Sequence, residues 1–174
     1  MYEYRTQRVI EFADTDMAGI VHFSRFFVFM ESAEHAFLRS LGHEVHFEHE
    51  GRHIGWPRVA VSCQYLSPAR FGDVLDVHLR VRRKGRRSLT YGVSFSCQGR
   101  PVAEGQVSAI CCALATPFPH PEGKLEPVPI PPPLAERIEE APPRPGEPPL
   151  QVKTPAPATA AVATAETTAE RRRP

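Results

Sequence analysis

One wide apolar helix followed by four alternating strands leaves this chain few ways to fold. Phe26, Met30, Ala33, Phe37 and Leu41 recur at helical spacing, and Phe29 and Ala36 widen the apolar face. Ser24 stands where an N-cap belongs and Gly42 where a helix stops, so a helix is predicted over 25–41. Glu31, Glu34 and His35 are expected on its polar side. Residues 4–12 read as a strand before it. After it come period-two runs: Val59, Val61, Cys63 and Tyr65; Leu75, Val77, Leu79 and Val81; Leu89, Tyr91, Val93 and Phe95; and a last run from Val102 to Ala115. Pro68 with Gly72-Asp73, then Lys84-Gly85, then Gln98-Gly99 mark the turns between them. Strands joined by short turns pair antiparallel. The order is β-α-β-β-β-β, an α+β domain in which a five-stranded sheet curls around the helix to cover it. Residues 43–53, rich in His and Glu, are expected to form a short helix and loop.

Proline divides the chain. Residues 1–116 hold Pro57, Pro68 and Pro101, and the remaining 16 prolines lie beyond. The first part is expected to be one domain, 1–118, large enough for a single core. Residues 119–174 read as a Pro/Ala-rich disordered tail with too little apolar surface to offset its ordering entropy. A chain ended near Phe118 is then expected to fold and act unaided. Two features of the tail stand apart. Ile130-Pro131-Pro132-Pro133-Leu134 has the form of a polyproline II docking segment, and Leu134 to Ile138 has the form of one helical turn.

A net charge of +1 gives no bulk attraction to nucleic acid or to an anionic membrane. No apolar run is long enough to span a bilayer, and the first residues carry no apolar leader. The four cysteines, Cys63, Cys97, Cys111 and Cys112, fall in strands without CxxC spacing and read as reduced thiols of a cytoplasmic protein.

The chemistry points to residues 14–23, Asp14-Thr15-Asp16-Met17-Ala18-Gly19-Ile20-Val21-His22-Phe23. Two carboxylates lie on a loop that leaves a strand and runs into the start of the helix. A helix N-terminus presents unpaired N–H groups and partial positive charge. A carboxylate beside such donors suits attack on a carbonyl and stabilisation of the oxyanion that results. The bland alternative is a pair of turn-forming or capping aspartates.

That loop, preceded by Ile10-Glu11-Phe12-Ala13 and followed by Phe26-Phe27 and Met30-Glu31-Ser32-Ala33, resembles the 4-hydroxybenzoyl-CoA thioesterase family and the related Tol–Pal-associated thioesterases. The similarity covers roughly residues 4–115. It implies a hotdog fold and hydrolysis of an acyl-CoA thioester without metal or cofactor. It also implies a homodimer or homotetramer with active sites between protomers. By the resemblance Asp16 is the nucleophile or general base, the Phe23 backbone N–H polarises the carbonyl, and Asp14 braces the loop. The Tol–Pal-associated branch has a His seven residues after the acid, where this chain has Phe23; His22 stands at six. His22 is therefore read either as an assisting group or as local packing. Gly19 and Glu31 are expected near the substrate, with Glu31 orienting the loop or touching the acyl group. Gly55, Trp56 and Pro57 match the region lining the acyl pocket. Within the basic run Arg80, Arg82, Arg83, Lys84, Arg86 and Arg87, the segment Arg86-Arg87-Ser88 matches the family's CoA-binding hairpin. Arginine suits that task because its planar fork donates bidentate bonds to phosphate.

His46, His49 and His53 would share a face if helical, but no zinc-type spacing accompanies them and no metal is expected. A noncatalytic acyl-CoA-binding or regulatory hotdog module is the alternative function. A hydratase of the same fold is a third reading, but its longer Asp- and His-bearing segment is missing from this sequence.

Overall fold

The computed structural model describes residues 1–114, 125–146 and 150. Strand β1 (Glu3–Val9) leads through a turn of 3-10 helix (Phe12–Asp14) and the acidic loop into α1 (Arg25–Ser40). Two short strands follow, β2 (Phe47–His49) and β3 (Arg52–Gly55). Four long strands come next: β4 (Arg58–Tyr65), β5 (Val74–Lys84), β6 (Ser88–Cys97) and β7 (Arg100–Ile110). The described chain closes with β8 (Cys112–Leu114), β9 (Leu125–Pro127) and the single turn α2 (Pro132–Ala135).

The main sheet has the order β1-β5-β6-β7-β4, antiparallel throughout. It wraps α1, as the apolar stripe requires. Phe26, Phe29, Met30, Ala33, Phe37 and Leu38 are buried beneath it. Phe26 meets Phe95 edge-on at 5.3 Å, and Phe37 meets Tyr91 at 5.9 Å. Gly105 makes this approach possible: a Cβ there would lie 2.2 Å from the Met30 sulfur. The helix stops where Gly42 takes a φ of +77°.

Four expectations change. Residues 43–53 do not form a short helix. β2 and β3 make a hairpin whose turn residues Glu50 and Gly51 both have positive φ, 51° and 72°. That geometry matches strand twist, and Glu-Gly is a weaker signal for it than Asn-Gly. The last strand is not continuous from 102 to 115. It breaks at Cys111, whose N–H donates to Arg87 O at 2.7 Å, and β8 joins a second sheet of order β2-β3-β8-β9.

The third change concerns the segment expected to be disordered from 119 onward. Over 125–146 the structure places it on the domain. Val128, Ile130, Leu134 and Ile138 are buried in the core, and β9 pairs with β8. The apolar ends of the polyproline segment, Ile130 and Leu134, are thus used inside the chain. Proline does not oppose this docking, because extended backbone and a one-turn helix beginning with prolines need few N–H donors. Residues 115–124, 147–149 and 151–174 lie outside the described residues.

Glu34 also departs from expectation. Four residues after Met30 and three before Phe37, it falls inside the apolar stripe and is fully buried. Its Oε2 accepts from Arg58 Nη2 at 2.8 Å, while Oε1 and the nearby Tyr91 hydroxyl have no partner among the described residues. Burial outweighs Arg58 and raises its pKa from 4.5 to about 7. A carboxyl raised on folding stabilises the fold fully below its unfolded pKa, and that contribution is lost as pH rises through the folded value. At about 1.4 kcal/mol per pKa unit, roughly 3 kcal/mol should be lost between pH 5 and pH 8. In urea melts across that range, Glu34→Gln should show a flatter pH dependence than the parent. Parallel curves would rule out Glu34 as the source.

Candidate active site

The acidic loop is a small ladder with Asp16 near its tip. Thr15 bridges Val21, and the Asp16 N–H donates to Ile20 O at 3.0 Å. The turn closes through Gly19 N–H to Asp16 O at 2.9 Å, with Gly19 at a φ of +70° that favours glycine. Asp16 is exposed. Its Oδ1 accepts the Ala18 N–H at 2.8 Å, and Oδ2 carries no hydrogen bond among the described residues. The carboxylate is therefore oriented and open on one side.

Asp14 does the opposite. It is buried, and its carboxylate accepts from Arg25 Nε at 2.7 Å, Arg8 Nη2 at 3.1 Å and Glu11 N–H at 3.0 Å. Burial alone would raise its pKa; the Glu11 N–H and the two arginines prevail and hold it below the usual carboxylate range. Its carbonyl accepts the His22 N–H at 2.9 Å. Asp14 thus ties β1, the loop and the start of α1 together, the bracing role expected of it.

Ser24 occupies the N-cap position but does not cap with its side chain. Its Oγ lies 2.8 Å from His22 Nδ1, and the His22 ring leans on Phe23 at 4.4 Å. The Phe23 N–H has no acceptor among the described residues, while the Phe23 carbonyl accepts the Tyr65 hydroxyl at 3.1 Å. A free N–H at the head of α1 and an open carboxylate on the same loop are two groups that acyl transfer can use.

Glu31 lies two helical turns beyond Phe23, half exposed and 3.4 Å from Arg58. It borders an apolar groove of about 310 Å³ between α1 and edge strand β4, lined also by Phe27, Val28, Arg58, Val61 and Val107. The sequence reading missed Val28 and Val61 as groove residues. Their signal is apolar side chains left on exposed faces: Val28 is 42% and Val61 44% exposed. Gly55, Trp56 and Pro57, by contrast, form the joint between the two sheets. Trp56 is buried, a Cβ on Gly55 would lie 3.2 Å from Leu114, and Pro57 O accepts the Ile110 N–H at 3.0 Å. Within one chain they do not border that groove.

The basic run separates by direction. Arg80 is buried and donates to Pro142 O; Lys84 folds its ammonium onto the carbonyls of Ala135 and Ile138. Arg83, Arg86 and Arg87 are exposed, and the Arg86 and Arg87 side chains have no partner among the described residues. They stand far from Asp16. The acidic loop is anchored at the start of β5 by Val21 N–H to Ala69 O and Ile10 N–H to Asp73 O, both 2.8 Å. Arg86 and Arg87 lie past the other end of that strand, about 30 Å away at ordinary strand rise.

His46 and His53 stack at 5.2 Å across the β2–β3 hairpin. No group of three or more potential metal ligands occurs among the described residues. Burial pushes the Cys111 thiol up to about 12, far from a nucleophilic thiolate. Among the described residues, no helix is long and apolar enough to cross a membrane.

One long helix wrapped by a five-stranded antiparallel sheet, with an acid loop at its N-terminus, defines the hotdog fold. The sequence pattern of the thioesterase superfamily matches residues 18–104, and the chain belongs to that superfamily. It is 34% identical over 113 residues to the 1,4-dihydroxy-2-naphthoyl-CoA hydrolase of Synechococcus elongatus, covering 64% of this chain and 82% of that protein. A hydrolase of the same name from Thermosynechococcus vestitus is 33% identical over 140 residues, covering 78% and 88%. The solved 1,4-dihydroxy-2-naphthoyl-CoA thioesterase from Synechocystis superposes with a TM-score of 0.63 at 25% identity, covering 75% and 91%. The 4-hydroxybenzoyl CoA thioesterase of Pseudomonas sp. strain CBS-3 shares the fold, with a TM-score of 0.65 at 19% identity, covering 78% and 99%.

Proposed function

We propose that this thioesterase hydrolyses an aryl-type acyl-CoA with Asp16 as its catalytic carboxylate. The observation that carries the reading is the open Asp16 carboxylate on a loop that is braced by Asp14 and carries the unused Phe23 N–H at its helix end. The Asp16 oxygen adds to the thioester carbonyl, or takes a proton from the water that does. In both routes the carbonyl oxygen gains negative charge that the Phe23 N–H stabilises. The C–S bond then breaks, the electron pair leaves on sulfur, and the CoA thiolate takes up a proton. In the first route water then hydrolyses the acyl anhydride on Asp16, freeing the acid and the carboxylate; in the second the acid forms directly. A thiolate leaves readily, so no strong acid is needed opposite the carboxylate. His22, fixed by Ser24, lies beside this donor and assists by holding the start of the helix. The named substrates of the relatives carry ring-bearing acyl groups. An aromatic acyl group suits the groove of Phe27, Val28, Val61 and Val107, with Glu31 and Arg58 as its polar end.

The active unit in this reading is a homodimer or larger oligomer. The distance along β5 supports it, because a second copy brings Arg86, Arg87 and Ser88 toward an Asp16 that its own hairpin does not reach. The exposed apolar residues Val28, Val59, Val61 and Tyr65 on α1 and the β4 edge offer the surface for that copy. Free thiols support a reducing compartment, the cytoplasm.

Initial rates on aryl-CoA and on short and long aliphatic acyl-CoA test the substrate class. Aryl-CoA should turn over best, and equal kcat/KM across the series would overturn the aryl assignment. Arg86→Ala with Arg87→Ala should raise KM for acyl-CoA about tenfold or more, since each phosphate contact is a charge-assisted bond. The same acyl group on pantetheine, which lacks the nucleotide, should be unaffected. Equal losses on both substrates would place these arginines outside the CoA site.

A further inference from the structure

The segment 128–141 grips the β5–β6 hairpin by its backbone. The Ile130 N–H donates to Arg86 O at 2.9 Å, beside the Cys111 N–H on Arg87 O at 2.7 Å. Lys84 donates to Ala135 O at 2.6 Å and Ile138 O at 2.8 Å, and its own N–H donates to Glu140 Oε1 at 2.7 Å. Leu134 and Ile138, both buried, anchor the segment between these bonds. The turn itself is tight: Gly85 N–H donates to Ser88 O at 2.8 Å, and a Cβ at Gly85 would lie 2.6 Å from Ser88 Oγ. The carbonyls of Arg86 and Arg87 are therefore held by partners distant in sequence, while their guanidinium groups stay exposed and unpaired among the described residues.

We propose that segment 128–141 is a positioning element for CoA, locking the hairpin backbone so that Arg86 and Arg87 meet phosphate already in place. The inference rests on the reading of these arginines as the nucleotide grip. Ordering a loop at the moment of binding costs affinity, and a loop already ordered by its own chain avoids that cost. The residues that perform the ordering, Lys84 and Glu140, need not touch substrate.

The test uses the full chain and compares one aryl thioester on CoA with the same acyl group on pantetheine. Lys84→Met and Glu140→Ala should each raise KM for the CoA thioester about three- to tenfold, the scale of ordering one or two residues. They should leave kcat and the pantetheine KM unchanged. Glu140→Gln keeps an acceptor for the Lys84 N–H and should behave as the parent. Placed on top of Arg86→Ala with Arg87→Ala, neither change should raise KM further. An equal rise on both substrates, a fall confined to kcat, or a full additional rise in the arginine-less background would each overturn the positioning role. If the double arginine change leaves the CoA KM untouched, the nucleotide-grip reading falls and this proposal with it. If the arginines matter and Lys84→Met and Glu140→Ala do not, the positioning role alone falls. Should Lys84→Met melt below assay temperature, Glu140→Ala, on the exposed side of the segment, carries the comparison.

Discussion

Asp16→Asn is expected to cut kcat for acyl-CoA hydrolysis about 100- to 10,000-fold, the range removed with a general base. The amide is nearly isosteric and keeps an oxygen for the Ala18 N–H, so the loop should hold its shape and KM should change little. What is lost is the open second oxygen, which has no structural duty to mask the effect. Asp14→Asn is the control that separates chemistry from bracing. It weakens the charge contacts to Arg8 and Arg25, both partly exposed, and should cost about 1–3 kcal/mol of stability. Its kcat, measured well below the melting temperature, should fall far less than that of Asp16→Asn. Near-normal turnover by Asp16→Asn, with deamidation excluded by mass spectrometry, would remove Asp16 from the mechanism.

Ending the chain after Phe118 is expected to lower its melting temperature by roughly 10 °C or more, or to leave it aggregated. Val128, Ile130, Leu134 and Ile138 fill the core between the hairpin, the end of α1 and β8. Burying such side chains is worth about 1.5–3 kcal/mol each before ordering costs. Their sum rivals the whole stability of a domain, about 5–15 kcal/mol. Without the segment, the carbonyls of Arg86 and Leu41 also lose the Ile130 N–H and the Arg137 guanidinium. A chain ended after Gly146 keeps every one of these contacts and should melt with the parent. If both truncated chains melt alike, the docked segment adds nothing to the fold.

The helix and long strands were legible because their apolar residues keep strict periods of 3.6 and 2. The acid loop was legible because its order, strand then carboxylate then helix start, is local. Three things were not. Glu34 was read as polar surface because a carboxylate inside a stripe looks like an edge of it until Arg58 arrives from β4. The four core residues of 128–138 were hidden by proline, whose abundance says little about where the few apolar side chains between them go. The separation of Asp16 from Arg86 and Arg87 was invisible because it depends on β5 running the length of the sheet, a property of register.

That same length of β5 bears on how such an enzyme changes. The acid loop is braced by Asp14 at one end of the molecule, and the hairpin by Lys84 and Glu140 at the other. Within one chain, substitutions so far apart, sharing no partner, add nearly independently in stability. On the proposed reading, drift in the hairpin's grip on the nucleotide need not disturb turnover, and a reshaped acyl groove need not weaken that grip. On that reading a lineage can trade one acyl group for another through α1 and β4, with the handle common to all its thioesters left as it was.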